Sequence, residues 1–219
     1  SHDLRTPLTS ISGNASNLMS NSVDFDEETR QRLYSDIYDD SMWLINLVEN
    51  LLAVTRIEDG QMNLRLSAEL LDEVIEEALK HVNRKSSSHE IRVESCGEFL
   101  LARMDARLIV QVIINIVNNA VKYTPPGTDI TLSARREGDT VRVEIADTGP
   151  GIPQEAQGRL FQMFYTAGND RGDGRRGLGL GLALCKSIVE AHGGKIGMRA
   201  NEPHGSVFFF TLQAEEIKL

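Results

Sequence analysis

Between Asp105 and Tyr123 the chain reads DARLIVQVIINIVNNAVKY, and this stretch decides how the second half is built. Leu108, Ile109, Val112, Ile113, Ile116, Ala120 and Val121 recur at the spacing of one buried helix face. On a helix turning about 100° per residue, Gln111, Asn115, Asn118, Asn119 and Lys122 share a second sector. Asparagine is a poor helix former, so Asn115, Asn118 and Asn119 on one face need a reason. Either that face is merely solvated, or it holds an ion and phosphates. Amide oxygens suit hard Mg²⁺, and Lys122 adds a positive charge. Asp105 offers an N-cap, and Thr124-Pro125-Pro126-Gly127 a stop.

Downstream, Ile130 to Arg136 and Val141 to Asp147 flank Glu137-Gly138-Asp139, a hairpin signal. The run Asp147-Thr148-Gly149-Pro150-Gly151-Ile152-Pro153 then leaves the second strand. A carboxylate there can accept a hydrogen bond from the exocyclic amine of adenine; guanine would oppose it with a carbonyl. Gly149 and Gly151 let backbone approach a base closely, although an ordinary Gly/Pro turn is the competing reading. Ala167 to Gly177 carries no periodicity and reads as a loop. Gly177-Leu178-Gly179-Leu180-Gly181-Leu182 opens a helix to His192, where helix-start amides favour phosphate. It is not a dinucleotide fingerprint, because the third glycine expected at Leu182 or Leu184 is missing, and no P-loop lysine follows. Lys195 to Ala200 and Ser206 to Gln213 close the sheet. Upstream, Met62 to Leu66, Ile91 to Glu94 and Phe99 to Arg103 read as strands and Leu71 to Val82 as an amphipathic helix. Elements mixed this way indicate an α+β sandwich.

The first sixty residues have another texture. Residues 1–22 read as a helix with His2 on its first turn. Asp24 to Glu28 offer caps for a second helix reaching about Glu58, stopped by Asp59-Gly60. Ile37, Ser41, Leu44, Val48, Leu51 and Thr55 form its seam, widened by Ile45, Leu47, Leu52 and Val54. A hairpin cannot bury so broad a stripe internally; a four-helix bundle from two chains can. The expected organisation is therefore an all-α hairpin over 1–60, dimeric as a four-helix bundle, followed by an α+β sandwich over 61–219. With 23 Lys and Arg against 32 Asp and Glu, the net charge of −9 excludes a general nucleic-acid surface. No apolar run reaches the roughly 20 residues that span a bilayer. Because Ser1 rather than Met precedes His2, the chain is expected to be a fragment of a longer one. Cys96 and Cys185 lack metal-ligand spacing and read as reduced core thiols.

Taken in order and spacing, these segments resemble sensor histidine kinases. His2-Asp3-Leu4-Arg5-Thr6-Pro7 resembles the H box, Asn115 to Tyr123 the N box and Asp147 to Pro153 the G1 box. Phe161 to Phe164 resembles the F box and Gly177 to Leu182 the G2 box. Asp40 to Val48 and Arg175-Arg176-Gly177 are similar to the potassium-responsive KdpD branch. The resemblance implies a dimerisation and phosphotransfer hairpin joined to a GHKL (Bergerat) ATP-binding domain. It implies ATP and Mg²⁺ as cofactors, His2 as phosphoacceptor and Asn119 as the Mg²⁺ ligand. Asn115, Lys122 and Tyr123 would contact phosphates or ribose, Asp147 would bind adenine with Gly149, Gly151 and Ile152 around it, and Thr211 would support that site. Arg176 with the Gly177 to Leu182 loop would bind phosphates, although the lid cation is equally readable as Arg171 or Arg175. Thr166 departs from the family, where an arginine is common. The implied partners are a second copy and the receiver domain of a response regulator, KdpE-like on the KdpD reading, and the implied location is the cytoplasmic domain of a membrane-anchored parent.

Asp3 would orient the His2 imidazole and stabilise its developing charge. Pro7 crowds the carbonyl of Asp3, which predicts a loosened helix beside the acceptor. Thr6 shares a helix face with His2 and would orient water for dephosphorylation of the regulator. Two rivals stand beside this reading. An ATP-gated clamp would hydrolyse ATP without labelling His2, and a degenerate scaffold would not bind Mg-ATP.

Overall fold

The computed structural model describes residues 2–21, 25–58, 64–82, 88–94, 99–166 and 179–216, and the chain divides into two compact units, Ser1–Ala53 and Val54–Leu219. In the first, α1 covers His2–Asn21 and continues through Pro7, while α2 (Glu27–Glu58) crosses the division. Asp26 caps α2, its Oδ1 accepting the Thr29 N–H at 2.8 Å; Asp24 lies outside the described residues. Ser41 donates to the Ile37 carbonyl at 2.7 Å, so this polar seam residue is satisfied within its own helix. Leu47 is buried, whereas Leu8, Ile45, Val48, Leu51 and Leu52 are exposed. Among the described residues, no helix is long and apolar enough to cross a membrane.

Among the described residues, the second unit is one seven-stranded sheet under helices. Its strands are β1 (Ser67–Leu70), β2 (Glu90–Glu94), β3 (Leu101–Met104), β4 (Asp129–Glu137), β5 (Thr140–Asp147), β6 (Ile196–Ala200) and β7 (Ser206–Glu215), ordered β1-β3-β7-β5-β4-β2 with β6 on β7. β2 runs parallel to β4, and the other pairs are antiparallel. The helices are α3 (Leu71–Lys80), α4 (Ala106–Tyr123), the short α5 (Gln154–Gln157) and α6 (Gly181–Ala191). α4 lies against β4 and β5, and α6 against β6 and β7. Pleat alternation turns Ile130, Leu132, Val141, Val143, Ile145, Phe208, Phe210 and Leu212 toward this helix layer, all buried.

Three local expectations change. Of the strand expected at Met62 to Leu66, Met62 and Asn63 lie outside the described residues, and the next three precede β1, which begins at Ser67. Residues 64–66 are irregular because the Arg65 N–H goes to Asp105 rather than to a neighbouring strand. Phe99 stands outside β3 and is exposed. Asp105 occupies the N-cap position of α4 without capping it. The expected loop Ala167 to Gly177 lies outside the described residues.

Candidate nucleotide site

Asp147 ends β5 on the helix-facing row, opposite Ile130 of β4 and Ser206 of β7. Its carboxylate is buried, and Oδ1 accepts the N–H groups of Gly149 at 2.9 Å and Ser206 at 3.3 Å. Burial pushes its carboxyl above the ordinary aspartate range, while the Gly149 and Ser206 N–H groups pull the other way. A carboxylate pinned through one oxygen at the end of a strand is a preorganised acceptor.

The turn between β6 and β7 locks this corner. Asn201 Nδ2 donates to the Asp147 carbonyl at 2.9 Å, and His204 Nδ1 to the Gly149 carbonyl at 3.3 Å. Gly205 has φ +112°, and any Cβ there would collide with the Asp147 carbonyl. Only glycine serves at that position. Gly149 is buried, Gly151 lies half-buried over the Gly205 carbonyl, and the Ile152 carbonyl accepts Gln157 Nε2 at 3.0 Å.

The polar face of α4 supplies a second group. Asn115, Asn118 and Asn119 are half-buried, and Lys122 and Tyr123 exposed. Lys122 Nζ donates to the Tyr123 hydroxyl at 3.2 Å and lies 4.8 Å from its ring centroid, so cation and ring share one position. Among the described residues, buried Asn115 Nδ2 has no hydrogen-bond partner; it lies beside Gly181, the first residue of α6. An orphaned donor at a helix start is what a phosphate oxygen satisfies. The neighbouring Cys185 thiol is pushed up to about 12 by burial, which outweighs the opposing influence of the Asn115 amide.

Glycine is also obligatory at 179, where φ is +65° and a Cβ would run into the backbone of Tyr165. The Gly179 carbonyl accepts the Phe164 N–H at 3.1 Å. Phe161 packs edge-on against Phe208 at 6.4 Å between ring centroids, so the Phe161–Tyr165 turn ties the start of α6 to β7. Leu180 is buried and Leu182 half-buried; Arg176, Gly177 and Leu178 lie outside the described residues. His2 and Asp3 open α1, where Thr6 is exposed.

Thr211 does not join this site. It pairs with Arg142 on the opposite sheet face from Asp147, and its hydroxyl accepts the Lys195 N–H at 2.9 Å. Ser206 stands beside Asp147 instead, and sequence reading missed it. The available signal was strand parity, since residues an odd number apart on a strand face opposite ways.

A sheet under helices, a buried carboxylate at a strand end and an asparagine-lined helix define a GHKL-type nucleotide-binding unit. Residues 104–216 match the family of histidine kinase-, DNA gyrase B- and HSP90-like ATPases, and residues 1–60 match the His Kinase A (phospho-acceptor) domain. The chain belongs to the histidine kinases. It is 41% identical over 215 residues to the sensor protein KdpD of Clostridium acetobutylicum, covering 98% of this chain and 24% of that protein. Its fold resembles the Acinetobacter baumannii histidine kinase AdeS, with TM-score 0.76, 26% identity and 99% of each chain covered. It also resembles histidine kinase ThkA in complex with the response regulator protein TrrA, with TM-score 0.72, 27% identity, and 100% of this chain and 60% of that one covered. The chain thus spans about a quarter of the curated relative.

Proposed function

We propose that the protein phosphorylates its own His2 from Mg-ATP and passes the phosphoryl group to an aspartate of a response regulator. One observation carries the donor half: a buried carboxylate aimed by Gly149 and Ser206 stands in the same unit as the Asn115 amide, whose Nδ2 has no hydrogen-bond partner among the described residues. The first accepts from an adenine amine and the second donates to a phosphate. The phospho-acceptor match over residues 1–60 supports His2 as recipient.

In this reading one ring nitrogen of His2 bonds to the γ-phosphorus as ADP leaves, and Asp3 holds the proton on the other nitrogen. Catalysis is mostly positioning and charge stabilisation. Mg²⁺ offsets phosphate charge, and Asn119 would hold it. The described residues contain no group of three His, Cys, Asp or Glu fit for a metal, so phosphate oxygens and water would complete its shell. Lys122 and Tyr123 would flank the phosphates or ribose, and the Gly177 to Leu182 segment with Arg176 would close over them. Thr6 would orient water against the phosphorylated regulator.

The exposed apolar residues of α2 support a homodimer, since a second copy would bury them. We place the functional boundary at residue 60, where the phospho-acceptor match ends. The extent of the KdpD similarity favours a KdpE-like regulator and potassium signalling, to be checked by phosphotransfer profiling against candidate receiver domains.

The deciding experiment incubates the dimeric protein with γ-labelled ATP and Mg²⁺. Acid-labile, base-stable label that disappears in His2→Gln is expected. ATP hydrolysis without label on His2 would support the clamp reading instead.

A further inference from the structure

Asp105 stands where an aspartate would ordinarily cap α4, yet its side chain makes no hydrogen bond to that helix. Its Oδ2 instead accepts the backbone N–H of Arg65 at 3.2 Å, forty residues upstream. The residue is 4% exposed, and the guanidinium of Arg107 lies 3.7 Å from Oδ1. Its own N–H donates to Nε2 of buried His192 at 3.0 Å, while Nδ1 of that ring faces the Ile188 carbonyl at 2.7 Å. A backbone N–H only donates and a carbonyl only accepts, so the His192 ring accepts at Nε2 and donates from Nδ1. Asp105 is therefore held from the end of α6 and itself holds Arg65.

The position of Arg65 gives this grip a use. The chain enters the sheet unit through residues 64–66, an irregular stretch just before β1. Whatever arrives from α2 is covalently bound to pass this point. A buried carboxylate spent on the backbone of that entry, at the expense of capping its own helix, fixes where the tether meets the ATP-binding unit. The opposite end of α4 carries Asn119 and Lys122, so the same rigid helix joins the grip to the proposed phosphate face.

We propose that Asp105 is a positioning residue for phosphoryl transfer. By gripping the Arg65 N–H it sets the point from which the ATP-binding unit is slung, and so how often the γ-phosphoryl comes in line with His2. This rests on His2 and the nucleotide site being recipient and donor.

The test uses the dimeric protein and reads two quantities: the rate constant for His2 phosphorylation at saturating Mg-ATP, and the Kd for Mg-ATP. Asp105→Ala removes the acceptor, and Arg65→Pro removes the donor while leaving the buried carboxylate in place. Each is expected to slow phosphorylation about tenfold or more with Kd within about twofold, because misplacement by an ångström can cost two orders of magnitude. Asp105→Asn keeps a carbonyl oxygen and should restore most of the rate, and Arg65→Ala keeps the N–H and should match the parent. The double variant Asp105→Ala/Arg65→Pro should be no slower than either alone. Parental rates in both single variants would overturn the proposal, as would a loss confined to Kd or equal damage from Arg65→Ala and Arg65→Pro. If Asp105→Ala fails to bind nucleotide, Arg65→Pro decides. Failure of the parent to label His2 would overturn the proposed function instead.

Discussion

Asp147→Asn changes one atom of the proposed adenine pocket and reverses its hydrogen-bonding sense. The recorded bonds to the carboxylate, from Gly149 and Ser206, converge on Oδ1, which leaves Oδ2 for a base. An asparagine can keep both backbone bonds through its carbonyl oxygen while presenting an NH₂ group to the adenine amine, donor against donor. Losing a hydrogen bond to a charged acceptor costs about 1.5–3 kcal/mol. That corresponds to a Kd for ATP weaker by roughly 10- to 150-fold. The same NH₂ group suits the guanine carbonyl, so the preference for ATP over GTP should shrink or invert. The fold should not suffer. Burial holds the Asp147 carboxyl above its ordinary value, so its ionised form costs stability at neutral pH, and the neutral amide removes that cost. Parental ATP binding should also weaken on acidification at a higher pH than an ordinary aspartate would give, as Asp147 takes up its proton; the amide variant lacks this transition. Titration calorimetry with ATP and GTP, alongside thermal melts, reads all of this. An ATP Kd within twofold of the parent in a folded variant would refute Asp147 as the adenine acceptor.

Gly205→Ala should destabilise the sheet unit by about 2 kcal/mol or more, since strain at φ +112° adds to collision with the Asp147 carbonyl. Melts would show it, with weakened ATP binding beside it. Glu144 is buried on the opposite sheet face, a burial that alone would raise its carboxyl, but bonds from Arg135, Arg142 and Arg199 bring it down to about 2. Its stabilisation is therefore present above the unfolded carboxylate range and lost as pH falls toward 2. Because Arg135 and Arg199 are half-exposed, Glu144→Gln should cost only about 1–2 kcal/mol at neutral pH and nothing at the acid end, read from denaturant unfolding across pH. In a Cys96→Ser background, Cys185 should resist thiol reagents at pH 8 until the protein unfolds, as burial and a thiol held near 12 both require. Thr6→Ala should abolish regulator dephosphorylation while sparing His2 labelling, measured with a phosphorylated receiver domain; equal loss of both would remove Thr6 from that role.

How far the sequence could be read depended on the range of the interaction that decides each feature. α4 was legible because its period, its stop and its burial agree, and Ile109, Val112, Ile113, Ile116 and Ala120 are buried as the spacing requires. Val117, absent from the expected face, is buried as well, because the helix layer covers α4 more widely than one stripe. Residues 64–66 of the strand expected at Met62 to Leu66 fall outside β1 because strand position is set by the partner, here the β3 register from Ser67↔Met104 to Leu70↔Leu101. Asp105 looked like a cap because its local sequence fits one, and the group that claims it lies forty residues away. Thr211 and Ser206 show the same limit in another form. Both are hydroxyl residues on β7, and only its register against β5 says which stands beside Asp147.

That register also separates two properties of the site. On the proposed function, base recognition would be built into the sheet, where Asp147, Ser206 and the Asn201–Gly205 turn hold one another through contacts to backbone atoms. Phosphate recognition would belong to helix surfaces, met through side chains on the Asn115 to Lys122 face of α4 and through backbone amides at the start of α6. Changes at the first group should therefore appear in Kd and in the choice between ATP and GTP, because the same acceptor is engaged before and during transfer. Changes at Asn119 or Lys122 should fall more heavily on the rate constant, because charge on the transferring phosphoryl develops only as the bond to ADP breaks. Asp105 would affect the rate constant from outside both groups. A variant that moved base selectivity and rate constant together from one of these positions alone would mean the two halves of the pocket are not mechanically independent.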